Sequence, residues 1–423
     1  MTASSTAIPT HANCLARDAA DPLGGFRDRF ALPEGVIYLD GNSLGPLPKS
    51  VPERVNRMLV EEWGSHLITG WLKDGWMELP LTLGDRLAQL VGAQPGEIAV
   101  VDTTSVNLFK MLSAALAMRP DRKVILSTSD NFPTDLYMAQ GLAALLDKGH
   151  ELRVVDPDDL DCSLDETVAV LMLTEVDFKT GRVHDMARLT AAAHRVEALT
   201  LWDLAHSAGA IPVDLNRSRA DFAVGCSYKY LNAGPGGPAW LFVANRHQQT
   251  AHQPLTGWLG HAAPFAFDLD YRPADGIRRH VCSSPGVIGL VAFEAALDIM
   301  LEADMGAMRR KSIALQELFI TLVETRCGEA GLRLVSPREA SETAPFLRGG
   351  QVSFAHPKGY GIVQALIERG VIGDFRDPNI LRFGFTPLYV GFADVFDAVE
   401  HLKAVLDTGE HLNPRYTDRA SVT

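Results

Sequence analysis

A lysine stands where an apolar run of the sequence gives way to a glycine-rich turn. Lys229 follows the run FAVGC, which begins at residue 222, and precedes the cluster AGPGGPAW. In an open sheet of mainly parallel strands, ligands bind beyond the carboxyl ends of the strands, so an amine at this point could react with a cofactor aldehyde. A lysine that follows a strand is more often simply exposed to solvent. The residues around Lys229 must therefore distinguish a solvated lysine from a cofactor-binding one.

A carboxylate and a histidine follow another apolar run. Asp203 closes the run LTLWD and forms a D-x-x-H pattern with His206. Pyridoxal phosphate acts as an electron sink only while its pyridine nitrogen is protonated, and a carboxylate held against that nitrogen keeps the proton in place. Asp203 is suited to that task by its position. The alternative, in which Asp203 caps the next helix and His206 is structural, stays open.

Hydroxyl and aromatic side chains follow two further strand runs. Thr103, Thr104 and Ser105 come between the run IAVV and a helical pattern, where free N–H groups and the helix dipole favour a phosphate group. Phe132, which follows the run KVILS, could cover one face of a pyridine ring, with Asp135 nearby. The hydroxyls could equally be ordinary helix caps, and a lone phenylalanine is more often part of a core.

The segments that carry these residues predict an α/β fold. Eight β-rich runs alternate with one-sided helical patterns between 36 and 244, namely VIYL, IAVV, KVILST, LRVV, VAVLMLT, LTLWD, FAVGCS and AWLFVA. This alternation is typical of a mainly parallel sheet covered by helices. A loop-rich stretch and a long helical run then lead into a smaller α+β pattern. We expect a large domain at 46–300, a small C-terminal domain at 301–423, and a segment at 1–45 that contributes to the small domain and the active site.

Composition limits the classes of partner. The net charge of −13, from 39 basic and 52 acidic side chains, opposes non-specific binding to nucleic acid or an anionic membrane. We see no signal peptide and no apolar run of membrane-spanning length, and we expect a cytoplasmic protein. No C-x-x-C pair suggests a metal site or a disulfide framework among the five cysteines, which are Cys14, Cys162, Cys226, Cys282 and Cys327.

The ordered motifs resemble kynureninase, a fold-type-I, class-V-like enzyme that uses pyridoxal phosphate. The resemblance covers nearly the whole chain and is carried by YLDGNSLGPLP, TTSVN, FPTD, EVDFKTG, WDLAHSAGA, SYKYLNAGPGG, GW at 257, SSP at 283 and FRDPNILRFGFTPLY. It implies a hydrolase of carbon–carbon bonds in ketonic substances. The substrate would be L-kynurenine, cleaved to anthranilate and L-alanine in tryptophan degradation, with 3-hydroxykynurenine left open as a second substrate.

The resemblance also implies a role for each site residue. Lys229 would bind the cofactor covalently and move the α-proton, and its neighbour Tyr228 is our candidate acid. Arg382 would bind the substrate carboxylate, because its planar fork matches two oxygens. The other expected roles are phosphate binding by Thr104, Ser105, Tyr228 and Trp258, a place in the cofactor shell for Thr174, ring stacking by Phe132, ring lining by Asp135 and His206, and a bond from Asp203 to the ring nitrogen. Ser43 and Ser284 would lie near the substrate's aromatic end, and Ser284 would also contact the cofactor.

A homodimer with shared active sites is implied as well, with the segments of Trp258 and Ser284 supplied by the neighbouring chain. Known members carry Asn or Thr where this chain has Ser284, which leaves the recognition of the aryl group undetermined. Candidates for the wall around that group are His66, Trp71 and Trp76.

Two other interpretations compete with this one. A cysteine desulfurase or class-V aminotransferase would share the fold, but desulfurases need a nucleophilic cysteine on a mobile loop and usually carry histidine before the lysine. Here Tyr228 occupies that position, and we interpret Cys282 as structural. The second alternative is a non-catalytic binding protein. The joint presence of Lys229, Asp203 and Arg382 argues against it, because a binder needs neither the amine nor the carboxylate clamp.

Overall fold

The computed structural model describes residues 8–339 and 347–416. Among these residues, no helix combines the length and the apolar character that crossing a lipid bilayer requires. A π-helix, Met58–His66, directly follows the second α-helix. The α-helices are α1 (His11–Ala19), α2 (Ser50–Arg57), α3 (Gly70–Lys73), α4 (Leu79–Val91), α5 (Thr104–Ala117), α6 (Pro133–Leu146), α7 (Met186–Arg195), α8 (Val287–Glu302), α9 (Met305–Arg326), α10 (Gly359–Glu368) and α11 (Phe392–Thr408).

The strands form one large sheet and two small ones. The large sheet has seven strands in the order β2-β8-β7-β6-β5-β3-β4, and β8 runs antiparallel to both of its neighbours. The strands are β1 (Ile37–Tyr38), β2 (Ile98–Val100), β3 (Val124–Thr128), β4 (Glu151–Val155), β5 (Val168–Thr174), β6 (Leu199–Asp203), β7 (Phe222–Cys226), β8 (Ala239–Val243), β9 (Arg333–Leu334), β10 (Gln351–Ala355), β11 (Val371–Ile372), β12 (Asp374–Arg376) and β13 (Ile380–Gly384).

The α/β prediction is confirmed, and the apolar runs explain why. Strands β5, β6 and β7 are buried along their whole length, as continuous apolar runs are when helices cover both faces of a sheet. Strand β4, at the edge of the sheet, is partly exposed.

One of the eight predicted strand runs lies elsewhere. The run VIYL forms β1, which is not part of the large sheet but pairs in parallel with β11. Only two residues of the run are extended, and these half-buried residues find their partner more than 300 positions later in the chain. Local pattern could not identify that partner, because pairing over such a separation is decided by tertiary packing.

The chain divides into two compact units. The larger comprises 48–178 and 183–302 and contains the seven-stranded sheet. The smaller comprises 1–47, 179–182 and 303–423, and its described part holds an antiparallel sheet in the order β12-β13-β10-β9 together with the β1-β11 pair. In the larger unit, α5 packs apolar residues such as Leu108, Met111 and Leu112 into the core beside the sheet. This packing fixes the position of the N-terminus of α5.

Candidate active site

The N-terminus of α5 presents free backbone donors. Asp102 has a positive φ of 53°, a conformation that turns the chain sharply between β2 and the helix. Thr103 is the N-cap, and its side-chain oxygen accepts a hydrogen bond from the Val106 N–H at 3.4 Å. The N–H groups of Thr104 and Ser105 open the helix and have no intrahelical acceptor. Two N–H groups and two hydroxyls at a helix N-terminus are suited to binding a phosphate group.

The parallel register of the sheet brings other polar residues to one edge. Thr174 ends β5 and is the register partner of Asp203, which ends β6. Asp203 is in turn paired with Val224 of β7, and Lys229 lies three residues beyond the end of that strand. Because the carboxyl ends of neighbouring parallel strands share an edge, residues far apart in sequence become neighbours here.

These residues line a cavity of about 170 Å³ inside the larger unit. The predicted site residues in its wall are Thr104, Ser105, Phe132, Asp135, Thr174, Asp203, His206, Tyr228 and Lys229. Thr134, Val176, Phe178 and Ala205 complete the wall.

Two carboxyl groups are buried together in the wall of this cavity. The side chains of Asp135 and Asp203 are hydrogen-bonded to each other, although 68 positions separate them in the sequence. Burial raises the pKa of Asp135, and the nearby Asp203 charge raises it further. Burial also raises the pKa of Asp203, against the opposing effect of Lys229. A cation placed against this pair would lower both pKa values, because an opposite charge stabilises the ionised form that burial disfavours.

The amine of Lys229 has a defined position. Its Nζ lies 2.9 Å from Nε2 of His206, a hydrogen-bond distance. An ammonium has only donors, so a protonated Lys229 requires the His206 tautomer that carries its proton on Nδ1. Phe132 stands 5.9 Å from the same Nζ, measured to the ring centroid, and contacts Phe178 edge to face at 5.0 Å.

Tyr228 is held in its protonated form. Burial raises the pKa of its hydroxyl, and the neighbouring groups Cys226 and Asp203 raise it further. The hydroxyl therefore stays able to donate a proton at neutral pH.

The donor set fits pyridoxal phosphate. The buried Asp135–Asp203 pair suits a protonated ring nitrogen, because that nitrogen would provide the opposite charge that stabilises an ionised carboxylate there. The N-terminus of α5 offers Thr104 and Ser105 to the phosphate, and Lys229 offers an amine to the aldehyde. One small cavity therefore carries a counterpart for each end of this cofactor.

Two predicted residues of the larger unit do not line this cavity. Trp258 lies in a short 3-10 turn, is 41% exposed and packs edge to face against Phe265 at 5.8 Å. Ser284 lines a second, mainly apolar cavity of about 520 Å³ together with Trp71 and Trp76. Nδ1 of His66, the third candidate for the aryl wall, lies 2.8 Å from an Asp74 oxygen.

Arg382 and Ser43 belong to the smaller unit, where they are in contact. Arg382 donates from Nε to Asp374 Oδ1 at 2.8 Å and from Nη2 to the Ser43 hydroxyl at 2.8 Å. Asp374 is the cross-strand partner of Arg382 and is also ion-paired with Arg376 at 2.6 Å. The Ser43 hydroxyl, which we predicted near the aryl group of the substrate, accepts from Arg382 and donates to Asp374 Oδ2 at 3.0 Å.

Comparison with known proteins decides the family. The chain is 52% identical over 421 residues to a kynureninase of Burkholderia pseudomallei (strain K96243), and the match covers 98% of this chain and 100% of the relative. A kynureninase of Pseudomonas fluorescens is 51% identical with the same coverage. This chain belongs to the kynureninase family. A family model described as "Kynureninase C-terminal domain" also matches residues 308–402, in the smaller unit.

Solved structures show the fold of this kynureninase-family chain. A cysteine desulfurase from Thermococcus onnurineus aligns with a TM-score of 0.76 at 19% identity, covering 91% of this chain and 98% of the other. A cysteine desulfurase from Escherichia coli aligns with a TM-score of 0.71 at 20% identity and the same coverage. At such low identity the likeness concerns fold alone, and it confirms the prediction of fold type I.

Sequence reasoning missed four residues of the cavity wall. Val176 and Phe178 lie in EVDFKTG and Thr134 in FPTD, two segments that carried the kynureninase resemblance without an assigned role for these positions. Ala205 stands between Asp203 and His206 in the D-x-x-H pattern. The available signal was their position directly after buried strand runs, which applies to apolar residues as much as to polar ones.

Proposed function

We propose that this protein hydrolyses L-kynurenine to anthranilate and L-alanine by cleaving the bond between the β and γ carbons. The observation that carries the proposal is the cavity in which Lys229, His206 and the buried Asp135–Asp203 pair meet. Membership of the kynureninase family at 52% identity over nearly the whole chain supports the same reaction.

The cofactor is pyridoxal phosphate, and the chain holds it at three points. Thr104 and Ser105 would bind the phosphate, Asp203 would keep a proton on the ring nitrogen with support from Asp135, and Phe132 would cover the ring. We assign Thr174 and His206 to the surrounding shell. When bound, this cofactor stabilises negative charge on the substrate carbons next to the amine.

Proton transfer is the task of Lys229 and Tyr228. The Lys229 amine removes the α-proton, and His206, at 2.9 Å from it, orients the amine and shares its proton. The Tyr228 hydroxyl donates a proton to the β-carbon after anthranilate has left, a role supported by the burial that keeps it protonated.

The substrate is held at its two ends. Arg382 binds the carboxylate, and its guanidinium is already oriented by Asp374 and Ser43. The aryl group contacts Ser284 and the aromatic residues around it, including Trp71 and Trp76. A 3-hydroxyl group on the aryl ring would meet the same wall, so 3-hydroxykynurenine is a second candidate substrate.

We propose that the protein is a cytoplasmic homodimer in which Trp258 and Ser284 complete the partner's cofactor and substrate sites. Exposed apolar side chains next to the second cavity support an interface there, namely Trp63, Leu67, Ile68 and Leu72. We also retain the domain limits at 45 and 300 as a proposal, supported by the two compact units.

Two assays on the purified protein test the reaction. We expect anthranilate fluorescence from kynurenine and no sulfide from cysteine. Sulfide production without anthranilate would replace the proposal with a desulfurase, the activity of the aligned solved structures. A yellow, cofactor-bearing protein that forms neither product would point to a non-catalytic binder.

A further inference from the structure

Four charged side chains meet in the smaller unit, and three of them form a closed group. Asp374 and Arg382, each 1% exposed, are joined by two hydrogen bonds, and Arg376 adds a second guanidinium to Asp374. The fourth, Asp40, follows β1 and lies beside Ser43, whose hydroxyl donates to Asp374 Oδ2 at 3.0 Å.

Within the described part of the chain, one oxygen of the Asp40 carboxyl group lacks the hydrogen-bond donor that an ionised carboxylate needs. This oxygen, Oδ1, is buried and has no hydrogen-bond partner among the described residues. The nearby Tyr38 hydroxyl donates elsewhere, to the Leu44 carbonyl oxygen at 2.7 Å. An anionic oxygen buried without a donor is costly, whereas a protonated carboxyl tolerates that position.

The charges of the cluster then depend on Asp40. With Asp40 ionised, two carboxylates balance the two guanidiniums of Arg376 and Arg382, and an incoming carboxylate meets no net positive charge. With Asp40 protonated, one positive charge remains. Nε of Arg376 also has no acceptor among the described residues, so the cluster keeps a donor for a further anion.

We propose that Asp40 sets the charge of the cluster that receives the substrate carboxylate, so that the substrate binds together with one proton held on Asp40. The inference rests on the proposed function, in which Arg382 binds that carboxylate. It makes Asp40 a positioning residue that acts through the two guanidiniums.

The charged and titratable groups around Asp40 support its uptake of a proton. Burial and the charge of Asp374 together raise the pKa of Asp40 to about 7, against the opposing effects of Arg382, Ser43 and Arg376. Tyr38 faces the same carboxyl from β1, and its own pKa is raised by burial and by the charge of Asp40. Proton uptake by Asp40 therefore falls within the range in which the enzyme can be assayed.

A competitive inhibitor separates this effect from titration of the substrate amine. We would use the desamino analogue of kynurenine, an aryl γ-keto acid without the α-amine, and its primary amide as the uncharged control. For the wild type we expect the inhibition constant of the acid to rise by up to about tenfold per pH unit above about pH 7, with no such rise for the amide. In Asp40→Asn the acid should bind tightly across the range. Asp28→Asn, at an exposed position, is the matched control and should follow the wild type.

Each outcome separates this inference from the proposed function. Wild-type enzyme that forms anthranilate but binds the acid with a pH-independent constant would overturn the inference alone. The same holds if Asp40→Asn keeps the wild-type profile, or if acid and amide show the same pH dependence. Absence of anthranilate from the wild type would instead reject the proposed function. If Asp40→Asn fails to fold, the wild-type profiles of acid and amide still decide.

Discussion

The residues that line the same cavity indicate the chemical role of Lys229. A strand-end amine alone indicates little, but here it lies 2.9 Å from His206 and lines the same cavity as the buried Asp135–Asp203 pair. Once ionised, the pair needs a positive charge beside it, and the Lys229 amine can bind an aldehyde. The side chains of these few residues are therefore enough to indicate which cofactor the cavity would bind.

Replacing Lys229 with Ala tests its covalent role. Because alanine has no amine, we expect loss of the cofactor's absorbance band near the visible edge and a fall in the rate of anthranilate formation of at least about a thousandfold. Absorbance spectroscopy and anthranilate fluorescence provide the two measurements. The control is Lys148→Ala, which removes an exposed lysine. Retention of the band with full turnover would reject the covalent role of Lys229.

Glu175 makes stability depend on pH. Burial raises the pKa of its carboxyl from the ordinary 4.5 to about 7, and the nearby Ser207 hydroxyl opposes the shift. The folded state therefore holds this proton more tightly than the unfolded state. The stability that the protonated Glu175 carboxyl contributes is fully present below about pH 4.5 and is lost as the pH rises through about 7.

Glu175→Gln should remove that loss. We expect the variant to gain on the order of 3 kcal/mol over the wild type above about pH 7, and far less near pH 5, by the cost of about 1.4 kcal/mol per pKa unit. Chemical denaturation at the two pH values measures the difference. Glu166→Gln, at an exposed position, should show no such pH-dependent gain. Equal effects of Glu175→Gln at both pH values would contradict the assignment.

At the scale of elements, the turn between β2 and α5 depends on a buried lysine. Lys110 is fully buried, is ion-paired with Asp102 and donates to the His280 carbonyl oxygen at 2.8 Å. It thereby ties the left-handed Asp102 to α5 and to the segment that leads to Ser284. The helix N-terminus assigned to the phosphate is held in place by this contact.

Lys110→Met should loosen the turn. Removing one partner of a buried ion pair costs about 3 to 5 kcal/mol, and we expect the lower end because the Asp102 side chain is 31% exposed. The affinity for pyridoxal phosphate should fall as well. Denaturant unfolding and cofactor titration measure the two effects.

The double variant Lys110→Met with Asp102→Asn serves as the control, because it leaves no unpaired carboxylate. It should recover part of the lost stability. If the double variant is as unstable as the sum of the two single variants, the ion pair is not what stabilises this turn.

At the scale of the whole molecule, exposed apolar side chains point to assembly. Ile68 is 76% and Leu72 81% exposed, and both belong to the segment that follows the π-helix. Large exposed apolar groups clustered on a monomer mark interaction surfaces, and the proposed homodimer would cover them.

Ile68→Asp tests this surface. Since a buried unpaired carboxylate opposes association, we expect sedimentation velocity to shift from dimer to monomer in the micromolar range. Leu145→Asp, in α6, replaces a residue of similar exposure outside this segment and should remain dimeric. A wild-type protein that sediments as a monomer would reject the dimer.

The sequence by itself determined the features that depend on residues close together along the chain. Continuous apolar runs predicted the strands of the large sheet, and the polar residues at their ends predicted Lys229, Asp203 and the hydroxyls before α5. The order of the motifs indicated the family. These features are local, because burial on both faces and helix capping are decided within a few residues.

The tertiary structure alone decided which distant residues meet. It paired β1 with β11, joined Asp135 to Asp203, placed Phe178 in the cavity wall and brought Asp40 and Ser43 to the charged pair of Asp374 and Arg382. Such contacts depend on strand register and on packing between segments remote in sequence, and periodicity carries no information about either. The charge of the cluster formed by Asp40, Asp374, Arg376 and Arg382 is therefore a property of the folded chain.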